Sequence, residues 1–237
     1  NPWNTDLTPG GSSGGAVAAV AAGIGPLAIA QDGGGSIRRP VSHTGLVGLK
    51  PSLSSVPRQH VLPTLLLDFE IIGPIARTVA DTRLLFDVMR GPAVVDRLSL
   101  AAAHAATLPR RNSPLRVLYV ERLGDAPLDP QIAASVGAGV AQLAALGHHV
   151  ETGPLPLDLD FFATAWPRIG QMGLASMFDQ HPDWEAQASQ KYRDMAAQGR
   201  ALPATLLWQT LERVWQLRRE SAALFERIDV VVMPSAA

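Results

Sequence analysis

The chain has 237 residues, 47% hydrophobic and 17% charged, the balance of a globular core beneath a solvated surface rather than of a disordered segment. Twenty basic and 21 acidic residues leave a formal charge of -1 with no block of like charge, which excludes an electrostatic nucleic-acid or anionic-lipid binder and points to a small-molecule partner. With no cysteine there is no disulfide, thiolate metal site or cysteine nucleophile, and no apolar run reaches the roughly 18 residues of a membrane span, so a soluble, cytoplasmic protein is expected.

Asn1-Pro2-Trp3-Asn4 shows neither an initiator Met nor a signal-peptide pattern, and a strand-like run, Asp229 to Pro234, stands close to the last residue; the chain reads as cut at both ends. Gly10, Gly11, Gly14, Gly15, Gly23, Gly25, Gly33, Gly34 and Gly35 crowd the first segment, a density that marks backbone bent tightly or brought close to something. Between the glycine clusters, Ala16 to Ala22 suits a helix and Pro26 to Ala30 a short buried strand. A brief Arg-containing segment follows Ser36, then a strand through Gly45-Leu46-Val47-Gly48-Leu49 that Pro51 ends, then a Pro/Ser-rich loop to about Pro63.

Thr78 three residues before Asp81 predicts a capped helix start, with Leu84, Leu85, Val88 and Met89 at helical spacing and a stop at Gly91-Pro92. Leu115 to Val120 reads as a strand, and Asp129-Pro130 as an N-cap with Pro in the first helical position. Ile132, Val136, Val140 and Leu143 then form one apolar face, and His149 to Glu151 returns as a strand. Residues 158–228 are mainly helical, with Trp208, Leu211, Trp215, Ala222 and Phe225 along one side of a long helix, before a strand from Asp229 to Met233. The alternation of strand and helix argues an α/β domain with helices on both faces of a sheet.

Two serine sites carry the chemistry, Gly10-Gly11-Ser12-Ser13-Gly14-Gly15 and Asp32-Gly33-Gly34-Gly35-Ser36-Ile37-Arg38. In the second, three glycines run into a serine that opens a helical turn, so several backbone N–H groups can converge on one point without side chains in the way, as beside a nucleophile with an oxyanion hole. Neither the Gly-Lys-Ser/Thr ending of a phosphate loop nor the G-x-G-x-x-G dinucleotide spacing occurs. Gly11-Ser12-Ser13-Gly14-Gly15 matches the G-x-S-x-G elbow around Ser13, but Asn4 to Pro9 is no strand and no Asp-then-His pair is marked downstream. Either cluster alone reads as a tight Gly/Ser turn; their pairing argues for more.

The stretch from Asn1 to Pro57, reading NPWNTDLTPGGSSGG, PLAIAQDGGGSIRRP, GLVGLKPS and VP, resembles the amidase signature family, and the likeness continues more loosely through Gly73-Pro74-Ile75-Ala76-Arg77-Thr78-Val79-Ala80-Asp81 and the strand from Asp229 to Pro234. The resemblance implies an α/β/α sandwich with a central mixed sheet covered by helices on both faces, forming one domain over residues 1–237 with the catalytic signature in 1–57. It also implies a Ser-cisSer-Lys triad in which Ser36 is the nucleophile and Ser12, next to a cis peptide bond, relays the proton. Gly33, Gly34, Gly35 and Ser36 match the oxyanion hole, and Ser13, Asp32 and Arg38 match positions that hold the loop in shape. The implied activity is hydrolysis of a small-molecule carboxylic amide through a Ser36 acyl-enzyme. No cofactor, metal, nucleic acid or membrane is expected to take part, and a homodimer is compatible with it. The alternatives are the amidase subunit of a glutamine-dependent tRNA amidotransferase and a non-catalytic truncated homologue.

The chain departs from the family pattern at the lysine, which in the family lies several tens of residues before the first serine cluster, whereas Ser12 is here preceded by eleven residues. Lys50, in the GLKP strand, is expected in a surface or structural role and Lys191 as a solvated charge; neither fits the base. Gly33 stands where Thr is usual, and His43-Thr44 where an aromatic-Cys pair is common. His43 is expected to be packed or hydrogen-bonded, and His148-His149 to form an exposed turn rather than a metal site.

Overall fold

The computed structural model describes residues 1–58, 63–100 and 114–235, which fall into two compact units, Asn1 to Arg110 and Arg111 to Ser235.

The first unit contains helix α1 (Gly14–Ala21), strand β1 (Leu27–Asp32), helix α2 (Arg38–Thr44), strand β2 (Val47–Gly48), a single 3-10 turn (Leu67–Phe69), strand β3 (Ile71–Ala76) and helix α3 (Val79–Met89). Its sheet has the order β1-β3-β2 with antiparallel pairs, and the register sets Ala28 opposite Ile75 and Ala30 opposite Gly73. These four therefore share one face, and Val17 of α1 and Ile37 and Val41 beside α2 close over it. Val17, Ile37 and Ile75 are fully buried, each contributing about 1.5–3 kcal/mol of hydrophobic stabilisation. Gly73 is required by close approach: a Cβ there would lie 2.0 Å from the Leu49 carbonyl oxygen.

The helical turn expected at Ser36 continues as a full helix through the Arg-containing segment, a length its residues do not announce. Arg-Arg-Pro-Val-Ser-His-Thr has little intrinsic helix preference, but Pro40 sits in the first turn, where its missing N–H costs nothing, and Pro40, Val41 and Thr44 are buried. The strand expected through Gly45 to Leu49 pairs as a ladder only at Val47–Gly48, although Leu49 N–H still donates to Pro74 O at 3.1 Å. Thr78 caps α3 as predicted, its Oγ1 accepting from the Asp81 N–H at 3.1 Å. Leu84 and Val88 of the expected apolar face of that helix are exposed, and Thr82 is its buried residue.

The second unit contains strand β4 (Arg116–Tyr119), helix α4 (Pro130–Ala145), strand β5 (His149–Thr152), helices α5 (Asp160–Gln180), α6 (Pro182–Gln187), α7 (Gln190–Arg200) and α8 (Ala204–Arg227), and strand β6 (Val230–Val232). The strands pair in the order β5-β4-β6, all parallel. Asp129 caps α4 as the sequence indicates, Oδ1 accepting from the Gln131 N–H at 2.7 Å, and Val140 of the predicted face is buried. Helix α7 packs on α5 at Gly199, where a Cβ would lie 2.1 Å from the Gln171 carbonyl oxygen. Arg116 ties β4 to the residue before β6, with Nη2 to Asp229 Oδ1 at 2.9 Å.

On α8 the buried residues are Thr210, Val214 and Leu224, whereas Trp208, Trp215 and Phe225 are 57%, 41% and 52% exposed. The helix carries two apolar stripes, and the aromatic one identified from the sequence is not the packed one. Both units are α/β, with antiparallel pairing in the first sheet and parallel pairing in the second. Among the described residues no helix is long and apolar enough to cross a membrane, and no three His, Cys, Asp or Glu side chains gather as metal ligands.

Candidate active site

Strand β1 ends on Asp32, which is fully buried, and the next six residues wind around its carboxylate. Oδ1 accepts from the Gly35 N–H at 2.7 Å, and Oδ2 from the Ile37 and Arg38 N–H groups at 3.1 and 3.2 Å. Arg38 closes a two-pronged pair, Nε to Oδ2 at 3.0 Å and Nη2 to Oδ1 at 2.8 Å. Burial alone would raise the Asp32 pKa. The hydrogen bonds and charge of Arg38, with the N–H groups of Arg38 and Gly35, outweigh it and hold the carboxyl well below the usual carboxylate range. Gly35 has φ of +113°, a conformation that favours glycine and lets the loop turn into α2 directly after Ser36.

The other serine cluster lies against this loop. The Gly11–Ser12 peptide bond is cis, the arrangement the family resemblance implies at Ser12. Ser13 N–H donates to Ser36 O at 3.3 Å, and Arg39 Nη2 donates to Gly11 O at 3.2 Å, so the two serine loops are joined from both sides. Further back, Trp3 Nε1 donates to Thr44 O and Asn1 Nδ2 to His43 O, both at 2.8 Å, laying the leading segment along α2. A Cβ on Gly10 would lie 2.9 Å from His43 Nδ1, which places that histidine as a packing partner of the loop.

Ser12, Ser13, Asp32, Gly33, Gly34, Gly35, Ser36 and Arg38 thus all fall in one patch of the first unit, with Ser12 exposed and Ser36 half-buried. One residue expected in the oxyanion hole is otherwise engaged: the Gly35 N–H is taken by Asp32. The N–H groups of Gly33, Gly34 and Ser36 donate to no acceptor among the described residues.

Lys50 has more to do than its sequence context indicates. Its Nζ reaches Asp32 O at 2.6 Å, Gly33 O at 2.9 Å and Phe69 O at 2.6 Å, with Asp32 Oδ1 at 3.3 Å. It lies beneath the glycine loop, held by backbone carbonyls, rather than at the surface. The signal available was a lysine embedded in an apolar run, Leu46-Val47-Gly48-Leu49-Lys50-Pro51. Burial lowers the Lys50 pKa, and the Asp32 carboxylate partly restores it. The same loop is backed by Leu66 and Glu70, since a Cβ on Gly33 would lie 2.6 Å from Leu66 Cδ1 and 3.2 Å from Glu70 Cγ. Glu70 is itself held by Arg58, Nη1 to Oε2 at 3.0 Å. Lys191 is an exposed residue of α7 in the second unit, the solvated charge expected of it.

Comparison with known proteins decides the family, because the family described as Amidase is matched over residues 1–237, the whole chain. The chain belongs to the amidase family. An acylamidase of Rhodococcus erythropolis is 39% identical over 190 residues, covering 79% of this amidase chain and 39% of the relative. A glutamyl-tRNA(Gln) amidotransferase subunit of Synechococcus sp. (strain CC9605) is 34% identical over 264 residues, covering 100% of this chain and 54% of the relative. Among solved structures, 6-aminohexanoate cyclic dimer hydrolase complexed with substrate superposes with a TM-score of 0.79 at 27% identity, over 94% of this chain and 50% of that one. A bacterial aryl acylamidase of the amidase signature enzymes gives 0.79 at 25% identity, over 98% and 50%. The amidase chain therefore has the amidase signature fold and spans about half the length of the proteins it matches.

Proposed function

We propose that this chain carries the acyl-transfer site of an amidase that hydrolyses a small-molecule carboxylic amide through an acyl-enzyme on Ser36. The observation that carries the reading is the loop wrapped on Asp32 and Arg38, which holds Ser36 beside the Gly10 to Ser13 loop through the Ser13 N–H to Ser36 O bond. In this reading Ser36 Oγ attacks the amide carbonyl and gives its proton to Ser12 Oγ as Ser12 passes its own to the general base, while the developing oxyanion accepts from the N–H groups of the glycine loop that have no acceptor among the described residues. Ser12 returns a proton to the leaving amine as the carbon–nitrogen bond breaks, and water then releases the acid. Lys50 is occupied by carbonyls and Lys191 is an exposed charge on a polar helix, so the general base is assigned to a lysine outside these 237 residues. The family match runs unbroken across both units, which supports reading residues 1–237 as part of one domain.

Labelling by a fluorophosphonate with mapping of the modified peptide tests the reading. Adduct on Ser36 that disappears in Ser36→Ala and slows in Ser12→Ala supports it. An unreactive Ser36 in the protein supplied with the lysine would favour the non-catalytic homologue. A second reading, release of ammonia from glutamine within a tRNA amidotransferase, is favoured by the match of the whole chain to an amidotransferase component. It predicts glutaminase activity exceeding that on anilides and activation by the other components of such a complex.

A further inference from the structure

Three carbonyl oxygens converge on one ammonium beneath the glycine loop. Lys50 Nζ lies 2.6 Å from Asp32 O, 2.9 Å from Gly33 O and 2.6 Å from Phe69 O, using each of its three donors. The first two carbonyls belong to the peptide units whose nitrogens are those of Gly33 and Gly34. Both of these peptides are trans, Gly11–Ser12 being the cis peptide bond among the described residues, and in a planar trans peptide the C=O and N–H point in opposite directions. Drawing the Asp32 and Gly33 oxygens down onto Lys50 therefore turns the Gly33 and Gly34 N–H groups to the opposite side of the loop. Those two N–H groups have no acceptor among the described residues.

We infer that Lys50 is a positioning residue of the oxyanion hole: by gripping the Asp32 and Gly33 carbonyls it fixes the Gly33 and Gly34 N–H groups as a preset pair of donors for the developing oxyanion. The assignment rests on the amidase reading above. Two further features support it. Phe69 O, the third acceptor, comes from the segment that also places Leu66 against Gly33, so the ammonium ties the loop to a packed support instead of following its motion. Arg38, Lys50 and Arg58 against Asp32 and Glu70 leave one positive charge in surplus around the loop, which favours negative charge forming on its other side. Glycine at 33 and 34 gives the backbone freedom to collapse or rotate, so an external clamp is needed to keep the donors aligned before substrate arrives.

The test compares wild type, Lys50→Met and Lys50→Arg, each made in the longer protein that supplies the base lysine. Four quantities are measured: kcat and KM on an anilide, the inhibition constant of a boronic acid that forms a tetrahedral adduct on Ser36, and that of the planar product carboxylate. A clamp acting on the oxyanion donors predicts that Lys50→Met lowers kcat by about 100-fold or more and weakens the boronic acid by a similar factor. KM and product inhibition should change less than about threefold, with Lys50→Arg falling between because it keeps the charge but not the three-way point geometry. Unchanged kcat and boronate affinity in Lys50→Met would overturn the assignment. So would parallel loss of all four parameters in both variants, the mark of a purely structural residue. Should Lys50→Met fail to fold, Lys50→Arg carries the decision: a kcat and boronate loss without KM loss supports the clamp, and no loss refutes it. Failure of wild type to react with fluorophosphonate or boronic acid at all would instead remove the amidase reading on which the clamp depends.

Discussion

Asp32 and Arg38 are six residues apart and meet through two parallel hydrogen bonds of 3.0 and 2.8 Å, with the carboxylate fully buried and the arginine side chain 51% exposed. The glycine loop between them cannot hold a shape by side-chain packing, so its form is set by this pair and by the backbone N–H groups that share the same carboxylate. Replacing Asp32 by Asn removes the charge and one acceptor geometry together. The expected cost is about 3 kcal/mol, the lower end for breaking a buried ion pair because Arg38 keeps contact with water. Urea unfolding measures the cost, and fluorophosphonate labelling of Ser36 should slow by at least about 100-fold in the same variant.

The acid side of the stability profile follows from the same residue. The native Asp32 pKa is depressed, so its contribution is complete above the ordinary carboxylate pKa of about 4 and is lost as pH falls below that value toward the native one. The stability gap between wild type and Asp32→Asn should be widest near pH 6 and shrink at pH 3. A gap that stays constant over that range would contradict the assignment of Asp32 as an ionised, paired group.

Gly33 and Leu66 compete for one volume. Gly33→Thr should destabilise by about 1–3 kcal/mol through overpacking against Leu66 Cδ1 and Glu70 Cγ. In a Leu66→Ala background the same substitution should cost less than half as much, a non-additivity that a double-mutant cycle in urea would read directly.

The α5 and α7 contact gives a prediction independent of any catalytic reading. Gly199→Ala pushes a Cβ into the Gln171 backbone and should cost about 2–3 kcal/mol. Gly139→Ala, on α4 with nothing within 4 Å of the added carbon, should instead stabilise by about 0.5–1 kcal/mol. Thermal midpoints moving in the same direction for both would contradict the packing described.

Local signals are legible wherever a short-range rule decides the outcome. Thr78 with Asp81 and Asp129 with Pro130 announce helix starts because cap and helix are neighbours in sequence, and both are capped as expected. The start of helix α2 is legible at Ser36 but its length is not, because Arg38 to Thr44 is helical through burial of Pro40, Val41 and Thr44 against distant residues, not through its own preference. The packed side of α8 could not be chosen from two apolar stripes, since only the neighbouring helices select Thr210, Val214 and Leu224 over the aromatics. At the candidate site, the glycine and serine residues are visible as motifs, but the grip of Lys50 depends on carbonyls from two separate segments, and backbone oxygens leave no mark in a sequence.

Trp3, bonded through Nε1 to the Thr44 carbonyl, is the one tryptophan among residues 1–110; Trp166, Trp184, Trp208 and Trp215 all belong to the second unit. An indole ring is an intrinsic fluorophore, and this one rests on the C-terminal end of the helix whose other end is built on the nucleophile loop. With the other four replaced by phenylalanine, the emission of a single chromophore would report, without added label, whether the leading segment stays seated on that helix as the first unit unfolds.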